Sequence, residues 1–209
     1  MPYSAEHKEK SRARIVETAR VLFNIHGFRG VTIDMVMQAA GLTRGAFYNH
    51  FKNKEALFEA AVIGFLTGRG ATWRDEAGID PSQLSPIMAQ HMLDAYLSEQ
   101  HLLDVKNQCP MIALPSDVAR SSDQVQRSYQ ILLEAMVGLF ENSIENDEAQ
   151  NMPCRQRALA MAALCVGGMI LARTLPDSDL AKEVRTAAHI AATQMGTPVE
   201  PRTHRSAAG

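Results

Sequence analysis

The sequence predicts an all-α protein of about nine helices, and three observations carry that reading. Ile33, Val36, Met37 and Ala40 fall at i, i+3, i+4 and i+7, which is one face of a helix. Gly41 follows at once and Thr43 opens a further helical stretch, so a glycine turn joins two helices. The long stretches 122–145 and 153–173 are helical by pattern, the first apolar along one side and the second nearly all round.

Taken in order, residues 1–5 are expected to be disordered. A first helix then runs from about Glu6 to His26, with Ile15, Ala19, Leu22 and Phe23 as its apolar stripe. Gly27 ends it, and Phe28-Arg29-Gly30 turns the chain into the next pair. Thr32 can cap the second helix, and Gly41 can close it in the left-handed conformation that Gly adopts without penalty. Thr43 is expected to cap the third, its hydroxyl accepting from a first-turn N–H. Phe47 and Phe51 are four apart and pack inward, while Tyr48, Asn49 and His50 point elsewhere. Helix, glycine turn and capped second helix form the helix-turn-helix pattern, with the second helix as the reader; an ordinary helical hairpin has the same spacing.

A fourth helix from Asn53 or Lys54 to about Glu76 has Leu57, Phe58, Ala61, Val62 and Phe65 as its core face. Gly64, Gly68 and Gly70 weaken it, each by about 1 kcal/mol against Ala. That weakness reads either as a simple kink or as a compliant link. Gly78-Ile79-Asp80-Pro81 is a loop, and Pro86 opens a helix at the position that tolerates proline. Residues 100–109 read as polar and irregular. Pro110 starts a short helix toward Leu114 and Pro115 another piece. The helix from Ser122 is expected to end at Asn146-Asp147-Glu148. The apolar helix from Pro153 to Arg173 must be covered on several sides. Pro176-Asp177 stops it and caps a last helix, Ser178 to Met195, with Ala181, Val184, Ala188, Ala191 and Ala192 as small packing residues. Residues 197–209 are expected to be a disordered tail.

The net charge of −2 alone argues against nucleic acid, but its distribution argues for it. Residues 1–54 hold nine Lys and Arg against four Asp and Glu, a balance of +5; residues 55–209 hold twelve against nineteen, a balance of −7. A basic module on an acidic body fits local phosphate binding. Arg12 and Arg14 read equally as phosphate contacts or as a solvated face. Cys109, Cys154 and Cys165 are odd in number and unpatterned, so no disulfide framework is expected and a reducing cytoplasm is favoured. The N-terminus is charged and lacks a signal-peptide apolar region, and the longest apolar run, Ala158 to Ala172, is short for a membrane span. No phosphate loop, nucleophile motif or metal-ligand spacing stands out, so neither an enzyme nor a cofactor nor a metal site is expected.

Thr32-Ile33-Asp34, Ala39-Ala40-Gly41-Leu42-Thr43-Arg44-Gly45-Ala46-Phe47-Tyr48-Asn49-His50-Phe51 and Lys54-Glu55-Ala56-Leu57 closely resemble the DNA-binding module of the tetracycline-repressor (TetR) family. The motif covers residues 12–58; the remainder matches only in length and helical character. The resemblance implies a homodimeric transcriptional regulator, usually a repressor released from a palindromic operator by a small ligand. Residues 1–55 would be the helix-turn-helix DNA-binding domain, and residues 56–196 the ligand-binding and dimerisation domain, pairing through its two C-terminal helices. A DNA-bound structural protein without an inducer is the rival reading.

Matched position by position, Thr32, Thr43, Tyr48, His50 and Lys54 fall where the family contacts phosphates, and Arg44, Gly45 and Asn49 where it faces the major groove. An arginine there can bridge two acceptors of a guanine edge. For a ligand, Trp73, Met88, His91, Met92, Tyr96, Tyr129, Leu133, Met136, Phe140 and Met169 can line an apolar pocket, or be plain core. They carry no charge cluster, which favours an uncharged, apolar or aromatic effector. Cys109 precedes Pro110, so its sulfur can sit at a positive helix end, where a thiol pKa falls. It reads either as a redox or electrophile sensor or as a small buried hydrophobe.

Overall fold

A computed structural model describes residues 5–145, 152–176 and 178–196. The ends expected at Asn146-Asp147-Glu148 and Asp177, and the segments 1–4 and 197–209, lie outside the described residues. Among the described residues there are twelve helical segments and no strand. They are α1 (Ala5–Gly30), α2 (Ile33–Ala39), α3 (Arg44–Phe47), α4 (Lys54–Gly64), α5 (Arg69–Glu76) and α6 (Pro86–Tyr96). There follow α7 (Glu99–Leu103), α8 (Pro110–Ala113), α9 (Pro115–Val118), α10 (Asp123–Ser143), α11 (Cys154–Thr174) and α12 (Asp179–Gly196).

The N-terminal elements close on Ile15, Ala19 and Phe23 of α1, Val36 and Met37 of α2, and Phe47, Phe51, Leu57 and Phe58, all buried. Phe23, Phe28 and Phe58 form an aromatic cluster, Phe23 meeting Phe58 edge-on at 5.0 Å between centroids. Gly27 does interrupt α1: its φ of 69° is left-handed, and a helical turn to Gly30 resumes beyond it. A side chain at Gly27 would also lie 3.0 Å from the Asp117 carboxylate. That carboxylate accepts the Phe28 N–H at 3.1 Å, pinning the turn to α9. Gly41, with φ 64°, ends the second helix as its position requires.

The fourth helix does not run unbroken to Glu76. It stops at Gly64, and α5 restarts at Arg69. A Cβ at Gly70 would sit 2.6 Å from the Phe65 carbonyl oxygen, so only glycine lets the chain fold back over Phe65. Residues 100–109 are more ordered than their polarity suggests. Ser98 caps α7 by accepting from the His101 N–H at 3.0 Å.

Beyond α7 the chain enters a polar lattice. Gln108, fully buried, donates through Nε2 to the carbonyls of His101 (3.1 Å) and Leu102 (2.9 Å) and accepts at Oε1 from Arg173 of α11 (2.6 Å). Asn24 of α1 donates to the Gln108 carbonyl at 2.8 Å, and Arg20 of α1 donates to the Lys106 carbonyl at 2.9 Å. Arg173 also donates to the Asn24 carbonyl at 3.0 Å. Polar groups buried this deeply stay stable only when partnered, so the lattice fixes α1 against residues 106–108 and α11.

α11 and α12 pack against each other closely enough that a Cβ at Gly168 would come within 2.7 Å of the Ala188 Cβ. Buried Arg157 anchors α11, donating to the carbonyls of Met195 (2.7 Å) and Glu145 (3.0 Å). At 21 residues α11 is long and apolar enough to cross a membrane by length and composition, which the shorter apolar run within it did not suggest. Its buried side chains belong to the common core. Leu159 and Leu171 of this helix, and Leu180 and Ile190 of α12, remain exposed.

Candidate nucleic-acid interface and adjoining cavity

The reader is shorter than its pattern implied. α3 spans only Arg44–Phe47, and Tyr48, Asn49 and His50 follow in turns held by Asn49 N–H to Ala46 O (3.2 Å) and His50 N–H to Phe47 O (2.9 Å). Phe47 and Phe51 hold the segment to the core, leaving Thr43, Arg44, Gly45, Tyr48 and Asn49 on the surface.

Thr32 caps α2, its hydroxyl oxygen accepting the Met35 N–H at 3.1 Å. Thr43 stands at the cap position of α3 but its hydroxyl makes no cap bond, contrary to expectation. That hydroxyl is therefore available to another group. Arg44 pairs with Asp34 at 2.5 Å, with both side chains more than half exposed. Such a pair contributes only about 0–1 kcal/mol and yields readily to a competing anion. Open space surrounds the Cα of Gly45, so a ligand can approach the backbone there. Tyr48 is 58% exposed.

His50 is partly covered, and its Nδ1 has no partner. Burial lowers its pKa below the ordinary 6.5, and the charges of Lys8 and Arg12 lower it further. The fold thus brings Lys8 and Arg12 of α1 to the reader: both line a shallow hollow with Asn49 and His50, and the Arg12 guanidinium lies 5.0 Å from the Phe51 ring centroid. Pattern alone could not separate Arg12 from any solvated basic residue, because the contact joins segments far apart in sequence.

Lys54 is not a bare surface cation. Its Nζ donates to the carbonyls of Phe28 and Val31, each at 2.9 Å, and sits 4.2 Å from the Phe28 ring centroid. Burial lowers its pKa from the ordinary 10.5. It therefore holds the turn that delivers α2, whatever else it contacts.

Behind this module lies a cavity of about 390 Å³. Trp73, Met92, Tyr96 and Met136 line it as the sequence suggested. The other six candidates do not. Phe140 and Met169 are wholly buried core. The Met88 sulfur accepts from the Asp80 N–H at 3.5 Å and His91 Nδ1 lies 3.3 Å from the Gly78 carbonyl, so both brace the 78–80 loop. Tyr129 donates to the Met111 carbonyl at 3.2 Å. Leu133 packs half-buried on the core, because α10 turns Leu132, Ala135, Met136 and Leu139 toward the cavity instead. Nothing in the sequence pointed to a whole wall: Phe65, Leu66 and Thr67 of the connection between α4 and α5, with Gly70 at the start of α5.

Cys109 lines the cavity too, but not as an activated thiol. It precedes α8 as expected, yet that helix has four residues and Cys109 is 3% exposed, so burial pushes its pKa up to about 11. Desolvation of the thiolate outweighs the weak field of so short a helix. His101 beside it is held as a neutral ring: Nδ1 lies 2.8 Å from the Tyr96 carbonyl, and Nε2 lies 3.4 Å from the Cys109 N–H. Burial lowers its pKa accordingly.

Comparison with known proteins bears on this arrangement. The model of the family described as bacterial regulatory proteins, tetR family, matches residues 15–61. The chain is 34% identical over 97 residues to the uncharacterized HTH-type transcriptional regulator TtgW of Pseudomonas putida, covering 46% of this chain and 70% of TtgW. It is 32% identical over 97 residues to the HTH-type transcriptional regulator SrpR of Pseudomonas putida, but that match spans only 45% of SrpR. A TetR-family transcriptional regulator from Cytophaga hutchinsonii has the same fold, with a TM-score of 0.72, 19% identity, and 95% of this chain and 100% of that one covered.

Proposed function

Because the chain belongs to the tetR family of bacterial regulatory proteins, helix-turn-helix transcriptional regulators, we propose that it is a ligand-responsive homodimeric repressor acting on a palindromic operator in the cytoplasm. Residues 1–55 would bind DNA, and residues 56–196 would bind the effector and the second subunit. The observation that carries the reading is the reader surface. Thr43, Gly45, Tyr48 and Asn49 are exposed, Asn49 beside Lys8 and Arg12, the Thr43 hydroxyl makes no cap bond, and Arg44 is held only by an exposed ion pair. Arg44, Gly45 and Asn49 would read base edges, while Thr32, Thr43, Tyr48, His50 and Lys54 would meet phosphates.

The effector would occupy the cavity. Its wall is the α4–α5 connection, and α4 begins at the end of the reader segment. A ligand that favours one setting of this connection would change the separation of two readers, whose half-sites must lie about 34–36 Å apart or a multiple of that. Dimerisation would use the exposed side of α11 and α12, where Leu159, Leu171, Leu180 and Ile190 lie and a Cβ at Gly167 would meet no atom within 4 Å.

Selection of bound duplexes from a random pool tests the operator claim: a palindromic motif with two half-sites is expected, and recovery of no motif rejects it. Sedimentation tests assembly. The native chain should be a dimer at micromolar concentration and Gly167→Glu a folded monomer; a monomeric native chain rejects the dimer.

A further inference from the structure

We infer that the cavity takes a carboxylate-bearing apolar molecule, its acid group set against Arg74. This rests on the reading of the cavity as the effector site and names the chemistry that site selects. The deep walls are apolar and aromatic, with Trp73, Met92, Met111 and Leu132 among them. Trp73 stacks near the neutral His101 at 5.3 Å between centroids, and Tyr96 meets the same ring edge-on at 4.9 Å. None of the lining residues is Asp or Glu. The one lining residue with a fixed charge is Arg74, in the last turn of α5.

Arg74 is half-buried, and among the described residues its side chain makes one hydrogen bond, from Nη2 to the Leu66 carbonyl at 3.0 Å. Among the described residues it has no carboxylate partner. The neighbouring Arg69 differs: both of its terminal nitrogens are engaged by Glu76, at 3.1 and 3.0 Å. A guanidinium presents five donors in a planar fork suited to a carboxylate, and a half-buried cation without a counter-ion is relieved by one. Thr67 and Asn142, both exposed, add polar groups at the open side of the cavity. A ligand with its hydrocarbon inside and its acid at that edge satisfies both parts. The same carbonyl contact ties Arg74 to the α4–α5 connection, so an acid competing for the guanidinium acts directly on the proposed moving part.

Trp73 is the only tryptophan in the chain, and it lines the cavity, so its fluorescence reports occupancy. The full-length protein without DNA is titrated with decanoate, decanol and decylamine below their micelle concentrations, and with the aromatic pair 1-naphthoate and 1-naphthol. Each carboxylate is expected to bind at least about ten-fold more tightly than its alcohol, with the amine weakest. Arg74→Gln should abolish the preference and Arg74→Lys should keep most of it, with both variants retaining the native circular dichroism. Alcohols binding as tightly as acids in the native chain overturn the carboxylate assignment and leave the effector cavity standing. A preference that survives in Arg74→Gln also overturns it. No response of Trp73 to any of the five overturns the cavity reading as well. Arg74-dependent carboxylate binding that leaves operator affinity unchanged upholds the ligand class and rejects the effector role.

Discussion

The proposed reader segment 43–50 and the cavity segment 101–109 are both rich in polar residues but differ in how those residues are partnered. The first holds α3, of four residues, and the second begins in the last residues of α7, itself of five. In the second, Gln108 and His101 have their hydrogen-bonding groups engaged with protein, and the carbonyls of Lys106 and Gln108 hold α1. In the first, the Thr43 hydroxyl makes no cap bond, Tyr48 is exposed, and Arg44 is tied only to exposed Asp34. Polar density therefore does not mark a binding surface. What marks the proposed surface is exposed polar side chains with few partners in the protein, whereas most of the polar groups in the buried segment are engaged.

The sharpest way to break this contrast is Gln108→Ala. It removes one side chain from three partners, two of them carbonyls and one the Arg173 guanidinium. A cost of about 3 kcal/mol is expected, a fall in Tm of roughly 6–10 °C by calorimetry. Base preference in a selection experiment should be unchanged. A variant as stable as the native chain would show that water replaces the lattice.

Arg44→Ala should do the reverse. The pair it breaks is exposed, so Tm should hold, while discrimination at one base position in each half-site falls by about 1–3 kcal/mol. An unchanged selected motif would make Arg44 a positioning residue. Tyr48→Phe keeps the ring and removes a hydroxyl, so affinity should drop by about 1 kcal/mol evenly across sequences.

Lys54→Ala lies between the two regions. Two of its ammonium hydrogens hold the carbonyls of Phe28 and Val31, and the third remains for phosphate. Both a lower Tm and a salt slope shallower by about one unit are expected. A lower Tm with the slope intact would reduce Lys54 to a structural role.

The smallest effect concerns pH. Burial, Lys8 and Arg12 hold the His50 pKa below 6.5 in the protein alone, so the ring is neutral at pH 7. A phosphate beside it would raise that value, so binding takes up a proton. Affinity should rise as pH falls through the bound-state pKa and level off below the lowered free-state one. Fold stability moves the other way: with the folded pKa depressed, stability is lost as pH drops below 6.5. His50→Gln should flatten the affinity profile; an equally steep profile in that variant would place the titration elsewhere.

Much of this protein was determined by the sequence alone. Ile33, Val36, Met37 and Ala40 announce a helix by their spacing, and Gly41 its end, because the 3.6-residue period and the left-handed freedom of glycine are local properties. The same locality places the proposed reader residues in a contiguous motif. Tertiary structure decided what depends on distant partners. The fourth helix stops at Gly64 and α5 restarts at Arg69, and Gly70 is needed there because its backbone lies against Phe65, a contact that propensity does not contain. The Cys109 thiol has a raised pKa because other helices bury it, and that burial outweighs the short helix it precedes. One wall of the cavity is a connection that the sequence shows only as a kink or compliant link, and six of the ten pocket candidates face elsewhere because the rotation of α10, α11 and the 78–91 segment is set by packing. Which polar groups end up without a partner is likewise a sum over the whole fold, and no single stretch of chain contains it.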